Sequence, residues 1–166
     1  MYRQAIDSDY QQVAQYKLKN NQLDNPIWCK TYDFWTGSLI KARLAIEGLR
    51  GQIVTDVHEE DGKVLSFFAG FEHRANVTYM IGVVDLDQPD PIGLWRRDAA
   101  KTLAGALERG AETIRLRFND SPCWARDVWA EQEIGFVKHP TANMWKATAD
   151  TVQAYVNSVG DGHGQG

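Results

Sequence analysis

Apolar residues change their spacing several times along the chain, and each change marks an element. Tyr2 to Ile6 reads as a short first strand. Ser8, with Gln11 three residues on, has the form of a capping box and predicts a first helix running to about Asn20. Asn20 to Pro26 is a polar turn region, and Trp28 opens an apolar stretch. Tyr32, Trp35, Leu39, Ala42, Ile46 and Leu49 then recur at alternating spacings of three and four. This predicts a helix with those six residues on its core-facing stripe, ended by Gly51.

From Gln52 the period becomes extended. Ile53, Thr55 and Val57 alternate with polar neighbours, Glu60-Asp61-Gly62 supplies a turn, and Val64 to Phe71 is a near-continuous apolar strand. His73 to Asn76 connects to a third strand, Val77 to Val84, rich in β-branched residues. Three successive strands predict an antiparallel meander whose last member is central. Three Asp and two Pro mark Asp85 to Pro91 as a loop. The next helix buries Leu94, Ala99, Leu103, Ala106 and Leu107 and ends near Gly110. Thr113 to Phe118 alternates strictly, and a helix from about Pro122 to Glu133 carries Trp124, Val128 and Trp129. Gly135-Phe136-Val137 starts a strand with Met144 to Ala147 as its partner, and Thr148 to Val159 forms a terminal helix. The order predicts a single α/β domain over 1–159, with a mixed sheet and helices on both faces, and a flexible Gly-rich tail over 160–166.

Composition narrows the function. At 166 residues and 43% apolar, the chain builds a packed core without staples. A formal charge of -4 argues against nucleic acid as a partner. The N-terminal residues lack the apolar stretch of a signal peptide, and no run approaches the ~18 apolar residues of a membrane span. A soluble cytoplasmic protein without a membrane partner is expected. Cys29 and Cys123 belong to no metal-ligand spacing; a single disulfide fits, but two thiols in a reducing compartment is the plainer reading. His58, His73, His139 and His163 share no ligand spacing, so no metal is expected. Phosphate-loop and nucleophile-elbow motifs are absent.

Three stretches carry a resemblance. Gly110 to Asn119 looks like the fifth strand, with its trailing Asn, of the GNAT superfamily of acyl-coenzyme A-dependent N-acyltransferases. Glu133 to Val137 resembles that family's entry into the sixth strand, and Met1 to Tyr10 resembles its opening. The resemblance implies a seven-stranded, mostly antiparallel sheet whose fourth and fifth strands splay to admit the pantetheine arm of acetyl-coenzyme A or another acyl-coenzyme A. It implies a small amine or protein amine as acceptor. In the family a loop of pattern (Q/R)xxGx(G/A) enters a helix and holds the diphosphate on backbone N–H groups. Here that loop reads Asp90-Pro91-Ile92-Gly93-Leu94-Trp95.

One glycine of the pattern remains. Asp90 sets negative charge near the diphosphate position, and Trp95 sets a large ring where backbone must approach closely. Arg96, Arg97 and Lys101 read equally as compensating cations or as a solvated helix face. The resemblance makes Val83, Val84, Gly93, Leu94, Trp95, Arg96, Arg97 and Asn119 the candidate cofactor contacts, with Val83 and Val84 near the thioester carbonyl. Glu72, Tyr79 and Asp85 are the candidate proton-transfer residues. Many family members protonate the departing thiolate with a Tyr before the sixth strand; here Trp129 or Glu131 falls at that place. Trp28, Trp35 and Tyr79 are candidates to line an acceptor pocket. Three readings follow: an N-acyltransferase using acyl-coenzyme A; an enzyme with another donor, such as an acyl carrier protein or, against the acidic charge, an aminoacyl-tRNA; or a non-catalytic GNAT-like protein acting through a protein partner or its own copies, in the cytoplasm or as a phage virion component.

Overall fold

A computed structural model describes residues 1–31 and 35–164, with side chains through residue 160. The expected meander is present as β2 (Gln52–Glu60), β3 (Lys63–His73) and β4 (Asn76–Val84), antiparallel throughout. Asp61 and Gly62 close the first hairpin with φ of 52° and 80°. Two successive positive φ values match the twist of the flanking strands, and glycine takes the second without strain. β1 (Tyr2–Arg3) adds to the β2 edge, and β5 (Thr113–Arg117), β6 (Val137–Lys138) and β7 (Met144–Thr148) complete the far side. The seven-stranded order is β1-β2-β3-β4-β5-β7-β6, so β4 is central. Among the described residues only β4 and β5 run parallel, which requires a crossover; α3 (Pro91–Glu108) supplies it.

Neighbouring side chains on a strand point to opposite faces. Phe67 meets Tyr10 of α1 (Asp9–Asn21) edge-on, whereas Phe68 meets Trp95 of α3 edge-on. Hence α1 and its neighbour α2 (Gly37–Glu47) cover one face and α3 covers the other. The C-terminal helix α5 (Ala149–Gly164) packs on α3 and runs past Val159, where the apolar pattern ends. Val13, Leu44, Phe67, Val83, Leu103 and Ile114 lie at the centres of the two layers, each fully buried. Burial of each such side chain stabilises the fold by roughly 1.5–3 kcal/mol.

Three local expectations are corrected. Ser8 makes no capping hydrogen bond; instead the buried Asp9 carboxylate accepts from the Ile6 N–H (2.8 Å) and from both Arg3 Nη atoms (2.7 and 2.9 Å). Burial raises the Asp9 pKa, but these donors outweigh it and hold the carboxyl below its ordinary value. On α2 the core stripe is Gly37, Ile40, Leu44 and Glu47, while Leu39, Ile46 and Leu49 are exposed. The cause is Gly37: a Cβ there would lie 2.8 Å from the Gln11 backbone nitrogen. That close approach to α1 fixes the rotation of α2 about its axis. Trp35 packs against the core as expected, and Tyr32 lies outside the described residues. Finally, α4 (Ala125–Ile134) is a wide, π-type helix that starts after Pro122 and closes on Gly135 at φ 106°.

Candidate functional site

β4 and β5 pair only over Asn76–Tyr79 and Thr113–Leu116. At that point Ala69 pairs with Ile81 and Gly70 with Tyr79, leaving Met80 as an extra residue in β4. Such a bulge bends its strand and increases the twist. Gly70 is required opposite it, since a Cβ there would fall 1.9 Å from the Thr78 carbonyl oxygen. Beyond the bulge the strands diverge, and Met80 to Val84 have no partner strand on the β5 side. A cavity of about 790 Å³ fills the fork, bounded by the α1–α2 segment, β4, the end of β5, and α3.

The cavity wall is aromatic, and three of its residues hold buried polar atoms without partners among the described residues. Trp28 stacks on Trp95 (centroids 6.2 Å, planes 16° apart), and Trp95 meets Phe68, Trp124 and Trp129 edge-on. Trp28 Nε1, Trp95 Nε1 and Thr31 Oγ1 are buried without a hydrogen-bond partner among the described residues. Each unmet buried donor costs free energy that an acceptor on a ligand restores. Lys17 also lines the cavity, half-buried, with no ion-pair or hydrogen-bond partner among the described residues. Burial pushes its pKa down to about 8. The nearby Arg117 and Arg43 are, by contrast, neutralised by the buried Glu47 at 3.1 and 3.6 Å.

The N-terminus of α3 is built differently. Asp90 Oδ1 accepts from the Gly93 N–H (3.0 Å), its carbonyl accepts from the Leu94 N–H (3.0 Å), and Pro91 has no N–H. The anion position at the helix start is therefore taken by the chain's own carboxylate. Trp95 is only 3% exposed and its ring covers Gly82, where a Cβ would lie 2.7 Å from the indole. Arg96 bridges α3 to α4 through two 2.8 Å hydrogen bonds to Glu133 and lies over Trp124 (5.2 Å). Arg97 is exposed, and Lys101 sits over the Tyr2 ring at 3.6 Å. The fork suits the extended, carbonyl-bearing arm of an acyl-coenzyme A. The helix start does not suit its diphosphate.

The candidate proton-transfer residues are not brought together. Glu72 pairs with Arg109 (2.5 Å) beside the start of β4, outside the cavity lining. Asp85 lies past the other end of β4, about 25 Å away at the usual rise per strand residue. It is fully buried and accepts from Lys63 (2.8 Å), the Asp87 N–H and Gln88; these hold its pKa below the ordinary carboxylate value against the upward push of burial. Tyr79 does line the cavity, but its hydroxyl donates to the Thr102 carbonyl oxygen (3.4 Å) on α3, and burial pushes its pKa up.

Val83 and Val84, expected beside the thioester carbonyl, lie on the free edge of β4 but are fully buried and outside the cavity lining, where Met80 to Gly82 stand instead. Leu94 turns into the core, and Asn119 ties two cavity segments together by donating to the Lys30 carbonyl (2.7 Å) and accepting from the Ser121 N–H (2.8 Å). Trp129 donates to Tyr155 Oη (2.9 Å), and Glu131 accepts from Trp145 Nε1 (3.0 Å). Sequence reasoning missed Lys17 and Thr31. A signal for Lys17 existed: Tyr10, Val13, Ala14 and Lys17 fall on one stripe of α1 at helical spacing.

No family model matches the sequence, and no curated protein matches it. Solved structures do. A GCN5-related N-acetyltransferase from Kribbella flavida superposes with a TM-score of 0.61 at 17% identity, covering 89% of this chain and 96% of that one. A GNAT family acetyltransferase from Brucella melitensis in complex with acetyl-CoA gives 0.59 at 18% identity, over 89% and 86% of the chains. A ribosomal-protein-alanine N-acetyltransferase from the same organism gives 0.60 at 14%, over 89% and 99%. The architecture is the GNAT fold, a mixed α/β sheet of seven strands split between β4 and β5. No helix among the described residues is long and apolar enough to cross a membrane, and no group of residues there is arranged to hold a metal ion.

Proposed function

We propose that this protein transfers an acyl group from a thioester to an amine at the β4–β5 fork, with the donor held by its pantetheine arm rather than by a diphosphate. One observation carries the reading: β4 has no partner strand on the β5 side from Met80 onward, and Met80 to Gly82 face a cavity of about 790 Å³ whose lining residues Trp28, Thr31 and Trp95 hold buried polar atoms without partners among the described residues. Its neighbours in fold include acetyltransferases with acetyl-CoA bound, and their acceptors include a ribosomal-protein alanine, so a protein amine fits as well as a small one.

A bound acyl-coenzyme A, or an acyl thioester of the same arm, supplies an activated carbonyl carbon. Backbone N–H groups on the free edge of β4 orient that carbonyl, and the Trp28 and Trp95 indoles and the Thr31 hydroxyl serve the carbonyls of the arm. The aromatic walls exclude water from the thioester. Lys17, with its pKa lowered to about 8, is neutral in a useful fraction at slightly alkaline pH; it takes a proton from the acceptor's ammonium, the free amine attacks the thioester carbonyl, and the departing thiolate takes up a proton as the C–S bond breaks. Glu72 and Asp85 have no place in this scheme, because each is tied into an ion pair away from the cavity. The test is thiol release from S-acetyl-pantetheine with a small amine and with an alanine-starting peptide as acceptors. Amine-dependent release that falls at least tenfold in Lys17→Met supports the scheme; release indifferent to the acceptor contradicts it.

A second reading, a protein that binds partners without catalysis, is favoured by one feature: Asp90 and the Arg96–Glu133 pair close the diphosphate side of the fork. Under this reading neither acetyl-coenzyme A nor S-acetyl-pantetheine binds, and the protein elutes in complex with a partner protein or with its own copies.

A further inference from the structure

The cavity wall holds a second chemical feature. Cys29 and Cys123 are both free thiols, both buried, with their Sγ atoms 2.9 Å apart. They come from segments 94 positions apart in sequence. Those segments already lie side by side: Trp124 and Ala125 donate backbone N–H groups to the carbonyls of Pro26 (3.2 Å) and Ile27 (2.7 Å). Asn119 adds its bond to Lys30. The backbone is thus fixed in register on both sides of the sulfur pair. Cys29 lines the cavity, while Cys123 sits behind it.

The two sulfurs differ in character. Cys29 has a second acceptor for its S–H in the Ser121 carbonyl oxygen (3.2 Å), which leaves Cys123 to donate across the sulfur pair; that contact pulls the Cys29 pKa below the ordinary thiol value against the upward push of burial. The nearby Arg126 guanidinium acts in the same downward direction. The same hydrogen bond, with burial, pushes Cys123 up. A low-pKa thiol facing an open cavity, backed by a second thiol in contact, is the arrangement of an attacking and a resolving cysteine.

We propose that Cys29 and Cys123 form a dithiol modification site that reacts with small disulfides entering the β4–β5 cavity and ends as an internal disulfide. The Cys29 thiolate attacks one sulfur of the small disulfide, forming a mixed disulfide and expelling one thiolate. Loss of the Cys29 negative charge releases the proton that Cys123 shared with it. The Cys123 thiolate then attacks Cys29 Sγ, forming the Cys29–Cys123 bond and expelling the second thiolate. The protein loses two electrons and two protons; the small disulfide gains both and leaves as two thiols. The product ties the segment carrying Trp28 and Thr31 to the one carrying Asn119, fixing the cavity wall.

This inference does not rest on acyl transfer and stands if that reading fails. The test incubates the full chain with oxidised glutathione at pH 8, followed by alkylation, digestion and mass spectrometry. The expected product is one cross-linked peptide pair, lighter by two hydrogens, in a monomeric chain. Its melting temperature rises by roughly 5–15 °C, since the link closes a long loop, and dithiothreitol reverses the rise. Cys123→Ser stops at the glutathione adduct on Cys29, and Cys29→Ser takes up no glutathione at Cys123. Two alkylated thiols, a lasting adduct in the unsubstituted protein, or disulfide-linked dimers would each overturn the proposal; because the unsubstituted protein carries the test, poorly folding variants do not weaken it.

Discussion

The fork between β4 and β5 and the N-terminus of α3 lie at two ends of one expected binding path, yet they are finished in opposite ways. In the fork, four polar groups have no partner among the described residues: two indole N–H groups, a hydroxyl and an ammonium. At the helix start they are consumed within the chain, by Asp90 on Gly93 and by Glu133 on Arg96. Unmet buried donors cost stability, so a chain keeps them only where something restores the bond. Self-capped donors contribute stability and bind nothing further. The same fold therefore presents one half of a binding path ready for a ligand and the other half closed.

Substitutions separate the two halves by size of effect. Trp95 joins them, stacked on Trp28 in the fork and rooted in the first turns of α3. Trp95→Ala removes a nearly fully buried ring and is expected to cost about 3–5 kcal/mol in urea denaturation. Gly82→Ala forces a methyl against the same indole and costs about 1–3 kcal/mol; in the Trp95→Phe background that cost shrinks, because the atom it meets is gone. An unchanged cost there would break the assignment of the Gly82–Trp95 contact.

Lys17 probes the open half. Its pKa is lower folded than unfolded, so the folded chain binds fewer protons between about pH 8 and the ordinary lysine value. Stability then rises with pH across that window, and the penalty is fully present below it. Lys17→Met should stabilise the protein at pH 7 by roughly 1–2 kcal/mol, less than the full shift implies because water reaches the side chain. The gain should vanish above about pH 10.5. A gain that persists at high pH would mean that packing rather than charge is responsible. Asp90 probes the closed half: Asp90→Ala loses a helix cap, worth about 1 kcal/mol, while acetyl-coenzyme A binding tightens. Destabilisation without tighter binding would leave the cap as a structural feature alone.

Much of this was legible in the sequence, and the exceptions have physical causes. The element order follows from changes of period, and it placed β4 at the centre of the sheet. The loop before α3 is legible too, from three Asp and two Pro between Asp85 and Pro91, although the composition does not say that Asp90 caps the helix. The face of α2 was not: Leu39, Ile46 and Leu49 have the right spacing, but contact between Gly37 and the α1 backbone turns a different stripe inward. Spacing gives a stripe; only tertiary contact decides which stripe is buried. The bulge at Met80 left no mark beyond Gly70, and Glu72 and Asp85 were plausible bases until long-range pairing with Arg109 and Lys63 became visible. The proximity of Cys29 to Cys123 is equally a product of topology, since nothing in 94 positions of sequence announces it.

The central claim is that the fork takes the arm of a thioester donor while the α3 N-terminus refuses its diphosphate. Calorimetry of the unsubstituted protein with S-acetyl-pantetheine and with acetyl-coenzyme A, at equal ionic strength, tests it directly. The account predicts that S-acetyl-pantetheine binds at least as tightly as acetyl-coenzyme A. Acetyl-coenzyme A binding tenfold or more tightly would contradict it.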